Sequence, residues 1–278
     1  MLKIVKSGVQ ISIQDQGRYG YKHLGVPESG AMDSVHAALA NSLVGNSPEE
    51  AVVEVAFGGV EIEALDDMVI GISGASQSVL VRDKNVSNRA FAMQKGDSLK
   101  IEFPAKGVYS YIAIQGGISS DIVLGSRSQY QNITKNATLR SGDIVRAVTG
   151  LIPHQLAHSV RLRQNDSFFD QTTFVVTKGP EYWDHLNLFD RYFTINAQSN
   201  RQAYMLSEKV PHQPMDDMLT SAVMPGVVQL TPSGVLRVLM RDSQTTGGYP
   251  RVICLDDHQV SILSQKRPGD QIMFLSND

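Results

Sequence analysis

The chain has 278 residues, 42% of them hydrophobic and 19% charged, and a formal net charge of −3. This composition excludes a disordered chain and suits one large or two ordinary domains. The mild acidity argues against nucleic acid or an anionic membrane surface as partner, since both select basic patches.

Alternating apolar and polar residues predict strands at 3–13, 52–57, 68–72, 77–82, 98–103, 109–114, 174–177, 227–230 and 236–240, with an apolar strand at 252–255. Helices are few. The clearest is 34–44, with Asp33 as N-cap, Val35, Leu39 and Leu43 on one face, and Gly45 to close the end. A second is expected to start at Pro180, with Tyr182, Leu186 and Phe189 sharing a face. A short third covers 260–263.

Three Gly-Asp turns each lead into a strand: Gln94-Lys95-Gly96-Asp97, Arg140-Ser141-Gly142-Asp143 and Arg267-Pro268-Gly269-Asp270. A common β-turn used three times accounts for them. The expected architecture is therefore mostly β, two barrel-like halves with few short helices. The domains are expected at 1–150 and 172–278, joined by a connecting segment at 151–171.

No early apolar stretch suits a signal peptide, and no segment approaches the ~20 apolar residues of a membrane helix. A cytoplasmic location is expected. The single cysteine, Cys254, lies in an apolar run and reads as an inert strand thiol.

Several familiar chemistries are missing. There is no Walker A loop, no GxGxxG after a strand and no HExxH. His154 and His158 stand four apart without a third ligand, so no metal site is expected. Gly125-Ser-Arg-Ser128 lacks the closing glycine of a nucleophile elbow. His36 falls in the first turn of the first helix, where a capping or incidental role suffices.

What remains is three polar, glycine-rich loops. The first is 25–33, carrying Ser29 and Asp33, with Asp15 and Arg18 upstream. The second is 124–128, carrying Arg127. The third is 242–250, DSQTTGGYP, carrying Asp242, Thr245, Thr246 and Tyr249. The third is too long and too polar for a plain hairpin, which needs two turn residues. Its glycines let backbone amides approach a ligand closely. Arginine forks match carboxylates, so Arg18 and Arg127 suit an anionic substrate. Helix capping by itself explains Asp33.

These loops, with QDQGRYGYKHLGVPESGAMD (14–33), LANSLVGN (39–46), EVAFGG (54–59), AIQGGI (113–118), VLGSRSQY (123–130), MPGVVQLTPSG (224–234), DSQTTGGYPRV (242–252) and QKRPGD (265–270), resemble one family along almost the whole chain. It is the allophanate-hydrolase-subunit-2-like, or biotin-dependent-carboxyltransferase-like, family. Its known members include the C subunit of bacterial 5-oxoprolinase, the regulator KipA and a carboxyltransferase half-module of urea carboxylase.

The resemblance implies a cyclophilin-like β fold and a partner of the KipI-like family, the B subunit of such a system. With the A and B subunits it implies ATP-dependent opening of 5-oxo-L-proline to L-glutamate, a hydrolase reaction on a cyclic amide. The ATP site would lie on this chain or on one of its partners. Within that reading Asp33, Asp242 and Tyr249 are the catalytic candidates. Asp15, Arg18, Ser29, Arg127, Arg201, Gln229, Thr245 and Thr246 are the substrate-binding candidates, and loop 242–250 forms one wall of the cleft. The alternatives are a KipA-like regulator that binds a KipI-like inhibitor, and the carboxyltransferase half-module.

Overall fold

A computed structural model describes residues 1–76, 78–148, 162, 166–212 and 218–277. The chain divides into two compact units, Met1–Arg18 with Ser29–Asp166 and Tyr19–Glu28 with Ser167–Asp278. The short segment Tyr19–Glu28 thus groups with the second unit, an excursion absent from the expected division at 150 and 172. Most of 151–171, including His154 and His158, lies outside the described residues.

The first unit holds two sheets. A seven-stranded sheet runs Ile118–Ser119, Ile144–Ala147, Leu2–Ser7, Val60–Ala64, Ser98–Ile101, Val79–Val81, Lys84–Asn85. A five-stranded sheet runs Gln10–Gln14, Val52–Ala56, Lys106–Ile114, Met68–Ser76, Ala90–Met93. Leu2, Ile4, Ile62 and Leu99 from the first meet Ile11, Val53, Ile70 and Ile112 from the second in one core. Burying these faces against each other supplies the main driving force, about 25 cal/mol per Å² of apolar surface.

The predicted strand 3–13 is two strands. They break at Gly8, whose φ of +61° and closeness to Gly58 (an added Cβ would lie 2.3 Å from the Gly58 carbonyl oxygen) admit only glycine. The strand Val60–Ala64, with its clean alternation VEIEA, is one that the sequence reading omits.

Helix α1, Ser34–Leu43, is capped by Asp33, whose side chain accepts from the His36 backbone N–H. It packs on the five-stranded sheet. The buried face is His36, Ala37, Ala40, Asn41 and Leu43, not the expected Val35–Leu39–Leu43 stripe. Close approach is the reason: a Cβ on Gly71 would lie 2.5 Å from the Ala40 carbonyl oxygen, so small residues must face the sheet.

The second unit is a seven-stranded sheet in the order Tyr192–Thr194, Gln271–Ser276, Thr173–Lys178, Arg251–Cys254, Val227–Leu230, Val235–Leu239, Ala203–Lys209. Its edge strands meet at the bridge Ile195–Leu206, which nearly closes it into a barrel. Phe174, Phe193 and Phe274 fill its core. Two more helices occur among the described residues, α2 (Asp166–Asp170) and α3 (Asp257–Ser264). The expected α3 is present, capped by Asp256 through the Gln259 N–H.

No helix forms at Pro180. The Glu181 N–H bonds to the Arg251 carbonyl at 3.3 Å, and its carboxylate grips the Arg251 guanidinium, so the neighbouring strand captures this backbone. The mostly β, barrel-like architecture agrees with the sequence reading.

Candidate functional site

The first unit gathers its loop around Asp15, the residue that follows strand Gln10–Gln14. The carboxylate accepts from Gly17 N at 2.8 Å, Ser126 Oγ at 2.6 Å, Ser128 Oγ at 2.6 Å and Arg127 N at 2.6 Å. Residues 123–126 form a tight hairpin closed by reciprocal Val123–Ser126 bonds, with positive φ at Leu124 and Gly125. A type I′ turn requires that conformation at both central positions, and a leucine there is strained.

Arg18, only 1% exposed, donates to the Ser128 carbonyl through Nη2. It therefore braces the hairpin from inside and is not displayed to an anion as the sequence reading has it. Arg127 is held by its backbone, while its guanidinium reaches the Ser120 carbonyl. Ser29 adopts φ +57°, and its buried hydroxyl makes no hydrogen bond among the described residues.

Asp33 heads a buried polar network. One of its carboxylate oxygens accepts from the His36 backbone N–H at 3.0 Å, and the other lies 2.7 Å from His36 Nδ1. The Asp33 N–H donates to the Tyr111 hydroxyl at 2.8 Å, and that hydroxyl donates to Glu54 at 3.0 Å. Glu54 also accepts from Met32 N at 2.7 Å. Burial pushes the Tyr111 hydroxyl well above its ordinary value of 10.0, with help from the nearby Glu54 and Asp33 carboxylates. The sequence reading missed Glu54 and Tyr111. The available signal was a glutamate inside the apolar strand VVEVA, where a charge needs partners.

In the second unit, Arg201 and Asp242 form a buried two-pronged pair, Nε to Oδ2 at 2.7 Å and Nη2 to Oδ1 at 3.0 Å. The Asp242 N–H also donates to the Arg201 carbonyl at 2.9 Å. Both side chains thus hold the start of loop 242–250, whereas the sequence reading made Arg201 a substrate-binding candidate and Asp242 a catalytic one.

Gln229, fully buried, fixes the middle of that loop. Its Nε2 donates to the Tyr249 carbonyl at 3.4 Å, and its Oε1 accepts from Gln244 Nε2 at 3.1 Å. An added Cβ on Gly247 would lie 2.4 Å from Gln229 Nε2, so the amide needs the glycine. The Thr245 carbonyl accepts from Val223 N at 3.1 Å, and Thr246–Gly247 pairs with Ser221–Ala222. The Thr245 side chain is buried, whereas Gln244, Thr246 and Tyr249 are exposed.

Cys254 is half-buried, and burial raises its thiol pKa, which suits an inert role. Among the described residues no three His, Cys, Asp or Glu side chains gather as metal ligands, and no helix is long and apolar enough to cross a membrane. The candidates therefore form two groups: Asp15, Arg18, Ser29, Asp33 and Arg127 in the first unit, and Arg201, Gln229, Asp242, Thr245, Thr246 and Tyr249 in the second.

The model of the carboxyltransferase domain, subdomains A and B, matches residues 24–276. The chain is 30% identical to the C subunit of 5-oxoprolinase from Escherichia coli, covering 99% of this chain and 91% of that one. It is also 30% identical to the C subunit of 5-oxoprolinase from Haemophilus influenzae, covering 90% of it. Urea amidolyase of Lachancea kluyveri is 25% identical over 98% of this chain, which is 17% of that protein. Of the solved structures, TTHA0988 superposes with a TM-score of 0.90 at 28% identity, and 99% of this chain covers 55% of it. The Kluyveromyces lactis urea carboxylase gives 0.86 at 25% identity, with 27% of that chain covered. The chain spans only about half, or less, of these solved structures, but nearly the whole of the two bacterial relatives. It belongs to the carboxyltransferase-domain family of subdomains A and B.

Proposed function

We propose that this chain is the C subunit of an ATP-dependent 5-oxoprolinase. It would act with the A subunit and the KipI-like B subunit to open 5-oxo-L-proline to L-glutamate. The observation that carries this reading is the end-to-end similarity, 30% identity over 99% of this chain and 91% of the Escherichia coli protein. The relation to urea amidolyase covers only 17% of that protein.

The chemistry fits a protein that positions its substrate. A lactam carbonyl is a poor electrophile. Phosphoryl transfer from ATP to its oxygen makes it a better one; water then adds and the ring C–N bond breaks, leaving the free amine and an acyl phosphate, which a second water hydrolyses to the carboxylate and phosphate. Fixed donors that stabilise the developing charge serve this better than a strong nucleophile. Arg127 is our anion-binding residue, and Thr245, Thr246 and Tyr249 are our candidates for hydrogen bonding to the amide. Ser29 offers a hydroxyl that has no partner among the described residues. Asp15, Arg18, Asp33, Arg201, Gln229 and Asp242 act as positioning residues, because each is already bonded to a loop or helix end. ATP binds within the assembled complex.

Reconstitution tests the proposal. Purified A and B subunits with this chain should release glutamate from 5-oxoproline and consume ATP. Silence from all three together, with the two partners known to be competent, sinks it. The urea amidolyase and urea carboxylase similarities favour one second reading, a carboxyltransferase half-module. That reading requires saturable binding of biotin by this chain with its partner, which calorimetry detects.

A further inference from the structure

A cavity of about 420 Å³ opens in the first unit beside the Asp15-anchored hairpin. Among its lining residues are Ser120, Arg127, Gln129, Lys135 and Arg146. Arg127 enters it preorganised, since its backbone N–H is tied to Asp15 at 2.6 Å. The guanidinium makes one hydrogen bond among the described residues, to the Ser120 carbonyl, which leaves the rest of its donor fork for a ligand.

Gln129 presents donors for the same kind of reason. Its Oε1 accepts from the Ile13 N–H at 3.0 Å, which turns the amide nitrogen away from that bond and leaves it unengaged among the described residues. The Ser120 hydroxyl oxygen is buried and has no partner there either. A buried hydroxyl left unpaired is costly, and native proteins rarely keep one without use.

The charges agree with the donors. Arg127, Lys135 and Arg146 line the cavity against two carboxylates, Asp121 and Asp143. Asp143 already accepts from the Arg140 N–H at 2.8 Å in its Gly-Asp turn. The balance is cationic and rich in donors. Among the described residues no aromatic side chain lines the cavity, so none of them stacks a nucleotide base there.

We propose that this cavity binds a small oxyanion, a carboxylate or a phosphate group, gripped by Arg127, Gln129 and Ser120. Lys135 and Arg146 draw the anion in. The site deepens the role given to Arg127 above, but it stands on its own geometry and is tested without turnover. A dead reconstituted enzyme and an empty cavity are therefore separate outcomes.

The test is calorimetric titration of the full chain at fixed ionic strength with inorganic phosphate, 5-oxoproline and uncharged pyrrolidinone. Saturable binding of phosphate or of 5-oxoproline is expected, with pyrrolidinone silent; the arm that binds identifies the source of the oxyanion. Arg127→Gln should weaken it on the order of tenfold or more, the value of a charge-assisted hydrogen bond. That variant keeps its fold because the loop is anchored through the backbone, which its unfolding midpoint checks. Ser120→Ala should weaken binding less, and exposed Lys84→Gln not at all. The proposal fails if neither anion binds saturably, if Arg127→Gln binds as tightly as the parent, or if pyrrolidinone also binds saturably.

Discussion

Asp15 and Asp242 show how single carboxylates set the loops. Each is saturated by donors from the segment it holds, Asp15 by the 126–128 turn and Asp242 by Arg201. Removing one partner of a buried ion pair strands the other. Asp242→Ala should therefore cost about 3–5 kcal/mol in urea unfolding. The double change Arg201→Met with Asp242→Leu, which removes both charges, should cost far less.

Tyr111 gives a pH signature. Below its ordinary value of 10.0 the tyrosine is neutral whether folded or unfolded. Above it, the unfolded chain ionises this hydroxyl while the folded protein, whose Tyr111 is raised, does not. Stability should thus fall as pH rises past about 10, and Tyr111→Phe should show a shallower fall in urea midpoint over that range. At neutral pH the same variant should be less stable, since the Asp33 N–H loses its acceptor.

At this scale the sequence is legible only locally. The Asp33 cap is a contact three residues long. Its link to Tyr111 spans 78 positions and the Arg201–Asp242 pair spans 41, and no local pattern announces either.

Elements repeat the lesson. The three Gly-Asp turns are readable because they are local, and all three share one geometry. The aspartate accepts from the N–H three residues back, at 2.7, 2.8 and 2.8 Å, and the glycine has φ of +89°, +96° and +93°. The expected helix at Pro180 fails because a distant partner, Arg251, takes the Glu181 backbone and side chain. Loop 242–250 stands out by composition, yet its bracing by Gln229 is not visible in sequence. Gly247→Ala tests that brace. Its Cβ must displace the end of the Gln229 side chain and release the Tyr249 carbonyl. The thermal midpoint should change little, since a flexible amide can give way, while turnover by the assembled enzyme should fall several-fold. An unchanged rate would remove the Gln229–Tyr249 link from the account.

For the whole molecule, strand rhythm and turn spacing are enough to announce a β architecture with barrel-like parts. They do not reveal that Tyr19–Glu28 groups with the second unit, because that grouping depends on long-range partners such as the Val223 carbonyl, which accepts from Lys22 Nζ at 3.2 Å. Family membership follows from motifs spread along the full length, and the loops that carry them are held by buried anchors in both units. On the function proposed above, such anchors would position a small amide for chemistry completed with partner proteins. The direct measurement is glutamate release from 5-oxoproline coupled to ATP consumption, in a mixture of the A and B subunits with and without this chain. Coupled release only when the chain is present is the predicted result. Equal release without it, or ATP consumption with no glutamate in the complete mixture, would contradict the account.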